Sequence, residues 1–157
     1  MDKKSDKTNA MRLLDAKKIA YEAFEYDAGL TDGAAVAETL GQDPRAVFKT
    51  LVTVSDRGAY FVFCVPVCAT LDLKKAAKAA GVKSVAMLHQ RDLEPLTGYV
   101  HGGCSPVGMK KRFPTFIDES ALAQEKLCVS AGRRGRQMRL SPADLAAFAG
   151  ARFAPLI

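Results

Sequence analysis

The chain has 157 residues, of which 48% are hydrophobic and 25% are charged, and its formal net charge is +6. This length supports one domain with one sizeable core and argues against two independent domains. No apolar run reaches the roughly eighteen residues of a membrane span. Residues 1–9 are polar and lysine-rich without an apolar segment behind them, so we expect a disordered tail there and a domain at 10–157.

The predicted elements mix helices and strands. In chain order the pattern first predicts a helix at 10–18 capped by residue 8 or 9, a strand at 21–26, a helix from 31 or 32 to 40, and a helical turn after residues 43–44. A hairpin of strands at 48–55 and 59–66 follows, then a helix at 71–80, a strand at 82–87 and a helical turn at 91–96. The last predicted elements are strands at 115–118, 127–130 and 137–140, a helix from 142 to about 150, and a strand at 151–156. Hairpins outnumber strand–helix–strand units. The predicted fold class is therefore α+β, with a mixed, mostly antiparallel sheet in a single domain.

The excess of basic residues favours a polyanionic partner, above all nucleic acid. Three basic clusters stand out in the sequence, and two of them flank glycine-rich turns, which makes a shared polyanion-binding surface a reasonable hypothesis. The clusters are Lys74, Lys75 and Lys78; Lys110, Lys111 and Arg112; and Arg133, Arg134, Arg136 and Arg139.

Residues 98–108 contain four glycines and one proline, which indicates a loop of special backbone shape. Such a loop can cradle a substrate, because glycine lets a ligand approach the backbone and exposed N–H groups bind oxyanions. It can equally be a tight connection between core elements. The glycine spacing matches neither a P-loop nor a dinucleotide-binding fingerprint.

Lys49 enters a strongly apolar predicted strand, where alternation places it on one face with Leu51 and Thr53. Its ammonium group can snorkel to water along that face. It can also point into a cleft and bind an anion. The spacing leaves both interpretations open.

Four cysteines, Cys64, Cys68, Cys104 and Cys128, are expected to be reduced thiols, as in a cytoplasmic protein. His101 and Cys104 form an H-x-x-C pair, but further ligands at suitable spacing are missing, so no metal site is predicted. A Cys104 nucleophile with His101 as its base is chemically possible, yet no third group orients the base. A structural role for Cys104 is the favoured interpretation.

Four runs in order along the chain resemble the YbaK/EbsC family, the free-standing relatives of the editing (insertion) domain of bacterial prolyl-tRNA synthetase. The runs are FKTLV at 48–52, LKKAAK at 73–78, GYVHGGCSPVGMKK at 98–111 and VSAGRRG at 129–135. The resemblance extends from about residue 10 to the C-terminus. It implies a barrel-like core with flanking helices.

The resemblance also implies a function, which is trans-editing. The enzyme would remove cysteine from mischarged Cys-tRNA(Pro), with Cys-tRNA(Cys) as a further substrate, in the cytoplasm and with no cofactor or metal. The substrate's own thiol attacks its ester carbonyl, and prolyl-tRNA synthetase is a transient partner. Three alternatives stay open: a deacylase of the same fold for another small amino acid, a non-catalytic tRNA-binding or regulatory module, and a thiol hydrolase that uses Cys104 and His101.

The same resemblance implies roles for individual residues. Lys49 matches the essential lysine, which contacts the terminal adenosine or its phosphate and holds the ester in place. The implied substrate-binding residues are Tyr26 and Phe48, which limit side-chain size; Thr50, which orients the lysine; Gly102 and Gly103, whose N–H groups line the carbonyl pocket; and Ser105, Pro106 and Gly108, which complete its wall. One departure is Arg136-Gln137, since several relatives carry an acidic residue after the Gly-Arg-Arg-Gly turn.

Overall fold

A computed structural model describes residues 7–157, which form five α-helices and eight β-strands. The helices are α1 (Asn9–Ala16), α2 (Gly33–Thr39), α3 (Leu73–Ala80), α4 (Gln90–Thr97) and α5 (Pro142–Ala149). The strands are β1 (Glu22–Glu25), β2 (Phe48–Ser55), β3 (Tyr60–Pro66), β4 (Val85–Met87), β5 (Thr115–Asp118), β6 (Leu127–Ser130), β7 (Arg136–Leu140) and β8 (Arg152–Ala154). A 3₁₀ turn at Glu119–Ala123, which the sequence pattern did not predict, follows β5.

The strands form two sheets. The smaller sheet has the order β1-β7-β6 and is antiparallel, and the larger has the order β4-β2-β3-β5-β8. In the larger sheet, β4, β2 and β3 pair antiparallel, whereas β3, β5 and β8 pair parallel. The predicted α+β class and the mixed, mostly antiparallel sheet are confirmed.

The predicted barrel-like core is wrong in one respect, because the sheets in residues 7–157 do not close into a barrel. A parallel bridge between Val47 and Cys128 joins the two sheets beside the start of β2. One backbone hydrogen bond supports this bridge, from the Cys128 N–H to the Ala46 carbonyl at 2.8 Å. On its other side Val47 continues the β2–β3 pairing, since the Val67 N–H donates to the Val47 carbonyl at 2.8 Å. The sheets therefore meet at one corner, and this corner borders the site described below.

Side-chain caps begin four of the five helices in residues 7–157, and those of α1, α2 and α5 lie at predicted points, whereas α3 begins two residues later than predicted. Asp32 accepts a hydrogen bond from the Ala35 N–H and starts α2, and Asp72 and Ser141 start α3 and α5 in the same way. After Asp43 the predicted helical turn is present as one turn. The Ala46 N–H donates to the Asp43 carbonyl in a single turn, and the chain then enters the bridge at Val47.

The largest core cluster packs α1 and α5 against the smaller sheet and includes Met11, Leu14, Met138 and Leu145. Val107, from the glycine-rich loop, is fully buried in this cluster. A second cluster packs α3 against the larger sheet. Because burial of apolar side chains is the dominant favourable contribution to folding, Val107 anchors the loop to the core at its C-terminal end.

The predicted N-terminal tail at 1–9 falls largely outside the described residues. Within them, Thr8 accepts a hydrogen bond from the Met11 N–H, and α1 begins at Asn9. None of the helices formed by residues 7–157 has the length and apolar character needed to cross a membrane.

Candidate active site

A cavity of about 390 Å³ opens where the start of β2, the N-terminal end of α2, the glycine-rich loop and the smaller sheet meet. We call it the Lys49 cavity. Its walls are formed by Tyr26, Thr31, Asp32, Gly33, Val36, Val47, Phe48, Lys49, Thr50, Leu51, Val67, Leu93, His101, Gly102, Cys104, Val129, Ser130 and Gln137. Five of the residues with implied roles, Tyr26, Phe48, Lys49, Thr50 and Gly102, therefore meet in one place.

Lys49 is half-buried on β2, where its backbone lies opposite Val65 of β3. Of the two interpretations that the sequence left open, the structure supports the cleft, since Lys49 lines the cavity. Within residues 7–157 no carboxylate forms an ion pair with its ammonium group. The acidic residue in the cavity wall, Asp32, instead accepts the capping hydrogen bond of α2. Lys49 thus provides a positive charge without an ion-pair partner among residues 7–157, which favours an anionic or carbonyl-bearing ligand.

Tyr26 and Phe48 supply the bulky part of the wall. The Tyr26 N–H donates to the Gly135 carbonyl at 3.0 Å, which ties the residue to the turn before β7. Burial raises the pKa of the Tyr26 hydroxyl, while the Gly135 N–H acts in the opposite direction. The hydroxyl is therefore protonated at neutral pH. Phe48 is 3% exposed and packs into the main core, so its position is fixed.

Gly102 and Gly103 are held between α2 and the turn at 133–134. A Cβ on Gly102 would lie 3.0 Å from the Thr31 methyl group, and its φ of +85° already favours glycine. A Cβ on Gly103 would lie 2.9 Å from the Arg134 backbone nitrogen. The Gly103 N–H donates to the Val100 carbonyl at 3.0 Å, so it is occupied, whereas Gly102 lies in the cavity wall.

The later part of the loop lies elsewhere. Ser105 is fully buried, and its hydroxyl accepts a hydrogen bond from the Val107 N–H at 3.2 Å. Pro106 and Gly108 border a second cavity on the α1 and α5 side. The structure thus separates these three residues from the Lys49 cavity, and their implied roles in its wall stay predictions.

Cys104 lines the Lys49 cavity but is poorly suited to be a nucleophile. Burial raises the pKa of its thiol to about 12, so the reactive thiolate is scarce at neutral pH. His101 is exposed, and its carbonyl accepts a hydrogen bond from Arg134 Nε at 2.8 Å. Among residues 7–157 no three His, Cys, Asp or Glu side chains are grouped so that they could hold a metal ion.

Gln137 lies in the cavity wall. It belongs to the Arg136-Gln137 pair, which stands where several relatives of the family it resembles carry an acidic residue. It is 3% exposed, and its Oε1 accepts a hydrogen bond from Gln42 Nε2 at 2.7 Å. A neutral amide pair therefore stands there. Sequence reasoning assigned no site role to several other wall residues, including Thr31, Val67 and Leu93. No local pattern indicates that the distant segments carrying them meet at this corner.

Comparisons with known proteins show the family to which the chain belongs. The family model "Aminoacyl-tRNA editing domain" matches residues 28–148. The chain is 44% identical over 156 residues to EbsC of Enterococcus faecalis, named as a candidate Cys-tRNA(Pro)/Cys-tRNA(Cys) deacylase, and the match covers 98% of this chain and 95% of that protein. The chain therefore belongs to the aminoacyl-tRNA editing domain family, and the resemblance found in the sequence is confirmed.

Solved structures support the same fold. A candidate trans-editing enzyme for prolyl tRNA synthetase superposes with a TM-score of 0.83 at 26% identity, covering 95% of this chain and 97% of that one. A hypothetical protein superposes with a TM-score of 0.85 at 23% identity, covering 92% and 96%. The second match is informative about the fold alone.

Proposed function

We propose that this protein is a trans-editing aminoacyl-tRNA deacylase that removes cysteine from Cys-tRNA(Pro), with Cys-tRNA(Cys) as a further substrate. The observation that carries the proposal is Lys49, a half-buried cation without a carboxylate partner within residues 7–157, in the wall of a cavity that Gly102 also borders. The names of the 44% identical EbsC and of the trans-editing structural relative support the substrate class.

In the proposed reaction the substrate supplies its own nucleophile. The cysteine thiolate attacks the ester carbonyl carbon, a carbon–sulfur bond forms, and the bond from that carbon to the ribose oxygen breaks. The amino acid leaves as a cyclic thiolactone, and the ribose oxygen takes up a proton equivalent to the one that the thiol lost. No protein nucleophile is needed, which agrees with the protonated state of Cys104.

The protein's contribution is then binding and electrostatic stabilisation. Lys49 holds the terminal nucleotide by its phosphate or ribose, so that the ester lies next to Gly102. A positive charge beside a developing oxyanion stabilises the transition state more than the ground state. Tyr26 and Phe48 limit the size of the amino acid that enters. We place this reaction in the cytoplasm, with prolyl-tRNA synthetase as a transient partner and no cofactor.

The test compares wild type with Lys49→Met, which keeps the length of the side chain and removes its charge. We expect the deacylation rate on Cys-tRNA(Pro) to fall by about 100- to 1000-fold, the range for removing one group that stabilises an oxyanion. Lys83→Met, at an exposed position outside the Lys49 cavity and outside the basic clusters, is the matched control and should be unaffected. A Lys49→Met enzyme with wild-type turnover would contradict the assignment. Retained tRNA binding without cleavage by wild type would favour the non-catalytic module.

A further inference from the structure

A second cavity of about 620 Å³ lies on the other side of the glycine-rich loop, between α1, the segment 106–115 and α5. We call it the Phe148 cavity. Its walls are Leu13, Lys17, Ile19, Pro106, Gly108, Met109, Lys111, Arg112, Phe113, Thr115, Ala147, Phe148 and Ala149. Its volume lies within the range of about 300–1,000 Å³ that is typical of ligand-binding pockets. The proposed reaction uses none of these residues.

The charges of the Phe148 cavity are all of one sign. Lys17, Lys111 and Arg112 are exposed and stand in its wall, and none of the described residues that line it is Asp or Glu. In the Lys49 cavity, by contrast, the single lysine is accompanied by Asp32. Three cations without a carboxylate form a local positive potential, which favours a ligand carrying phosphate.

The inner surface of the Phe148 cavity is apolar and contains two aromatic rings. Phe113 and Phe148 are both half-buried, and Phe113 meets Tyr60 edge-on with 5.8 Å between ring centroids. Arg112 Nη2 donates to the Phe148 carbonyl, which holds the guanidinium group beside that residue. An aromatic face bordered by cations suits a nucleotide, because the base stacks on the ring while the phosphate meets the charges.

The two cavities share one wall. Gly102 and Cys104 face the Lys49 cavity, whereas Pro106 and Gly108 face the Phe148 cavity. Cys104 and Pro106 are two residues apart, so their Cα atoms are separated by at most about 7 Å. The two cavities are therefore adjacent, as successive nucleotides of one RNA end require.

We propose that the Phe148 cavity is a binding subsite for a nucleotide of the single-stranded 3′ end of the tRNA, upstream of the terminal adenosine. The base packs against Phe113 or Phe148, and its phosphate lies beside Lys17, Lys111 and Arg112. This subsite rests on the proposed function for the identity of the RNA. It would let the enzyme hold the 3′ end at two points and so orient the ester.

The experiment measures binding of a fluorescently labelled RNA tetranucleotide, ACCA, by anisotropy, using the full chain. Phe148→Leu, which keeps apolar bulk without a ring, should weaken binding by about tenfold, whereas Phe148→Tyr should stay within about twofold of wild type. Lys111→Ala should reduce the slope of log K against log salt by about 0.7, the value for one lost phosphate contact with a single strand. Lys83→Ala, at an exposed position outside both cavities and outside the three basic clusters, is the charge control and should leave the slope unchanged.

Thermal unfolding of each variant shows whether it is folded, and Lys111→Ala, at an exposed position, keeps the test interpretable if Phe148→Leu is unstable. Unchanged affinity for ACCA in both Phe148→Leu and Lys111→Ala would overturn the proposal. It would also be overturned if the same variants weakened binding of free AMP and CMP but not of ACCA, since the cavity would then serve a free nucleotide. Because the assay contains no ester, its failure is distinguishable from failure of the proposed deacylation.

Discussion

Gly103→Ala is the change that best probes how the glycine-rich loop is held against the turn before β7. An added Cβ would lie 2.9 Å from the Arg134 nitrogen and 3.1 Å from the Arg133 carbonyl carbon, both of them backbone atoms. Backbone on both sides leaves no flexible side chain to move aside. The glycine-rich loop must therefore move away from the turn at 133–134, and Gly102, next to Gly103 in the loop, shifts relative to Thr31.

The expected destabilisation is that of overpacking, about 1–3 kcal/mol. For a chain of this length that corresponds to a fall in Tm of about 2–12 °C, measured by differential scanning calorimetry. We also expect the deacylation rate at 25 °C to fall by more than the fraction of unfolded protein accounts for, because Gly102 borders the Lys49 cavity.

Gly58→Ala is the matched control, since it lies in the β2–β3 turn with a φ of +80° and with nothing within 4 Å of an added Cβ. It should lower the free energy of unfolding by about 1–2 kcal/mol through its left-handed backbone alone, and leave deacylation unchanged. A Gly103→Ala protein with wild-type Tm and wild-type activity would refute the argument that this contact sets the loop.

Three further predictions concern thiols, charge and core. Iodoacetamide at pH 8 should label exposed Cys68 first and leave activity intact, because Cys104 is buried with its pKa raised to about 12; mass spectrometry locates the label. The pKa of Glu22 is lowered to about 2, mainly by its hydrogen bond with Arg139 and secondly by its hydrogen bond with Lys126. The stabilising contribution of the ionised carboxylate is therefore complete above about pH 4.5 and is lost as the pH falls towards 2. The Tm difference between wild type and Glu22→Gln should shrink over that window, and a constant difference would contradict the ion pair. Leu145→Ala, at a fully buried position, should cost about 2–5 kcal/mol in a denaturant titration, and a cost below 1 kcal/mol would contradict tight packing there.

Local chemistry accounts for the parts of the fold that the sequence predicted well. β2 was predicted with both of its ends, the start of α2 was placed at Thr31 or Asp32, and the cap of α5 was placed at Ser141. These features depend on neighbours within a few residues, such as a side-chain oxygen that accepts from an N–H three positions on. The short turn predicted after Asp43 is also present, and it ends where Val47 forms a bridge with Cys128, about eighty residues away.

Long-range pairing also limited the prediction of the site. Alternation could not tell whether Lys49 faces a cleft, since that depends on the glycine-rich loop arriving opposite β2. The same loop turns between Cys104 and Pro106, so residues assigned to one wall by resemblance are divided between two cavities. Gln137 was noticed only as a departure, and its place in the wall follows from the pairing of β7 with β6 and β1.

The most direct test of the central claim is deacylation of Cys-tRNA(Pro) and Ala-tRNA(Pro) by the wild-type protein, with the amino acid labelled in each. The account predicts fast loss of cysteine with formation of a thiolactone, and little loss of alanine, which has no thiol to attack its own ester. Equal cleavage of both substrates, or cleavage of alanine alone, would contradict a thiol-assisted reaction and point to a deacylase for another small amino acid.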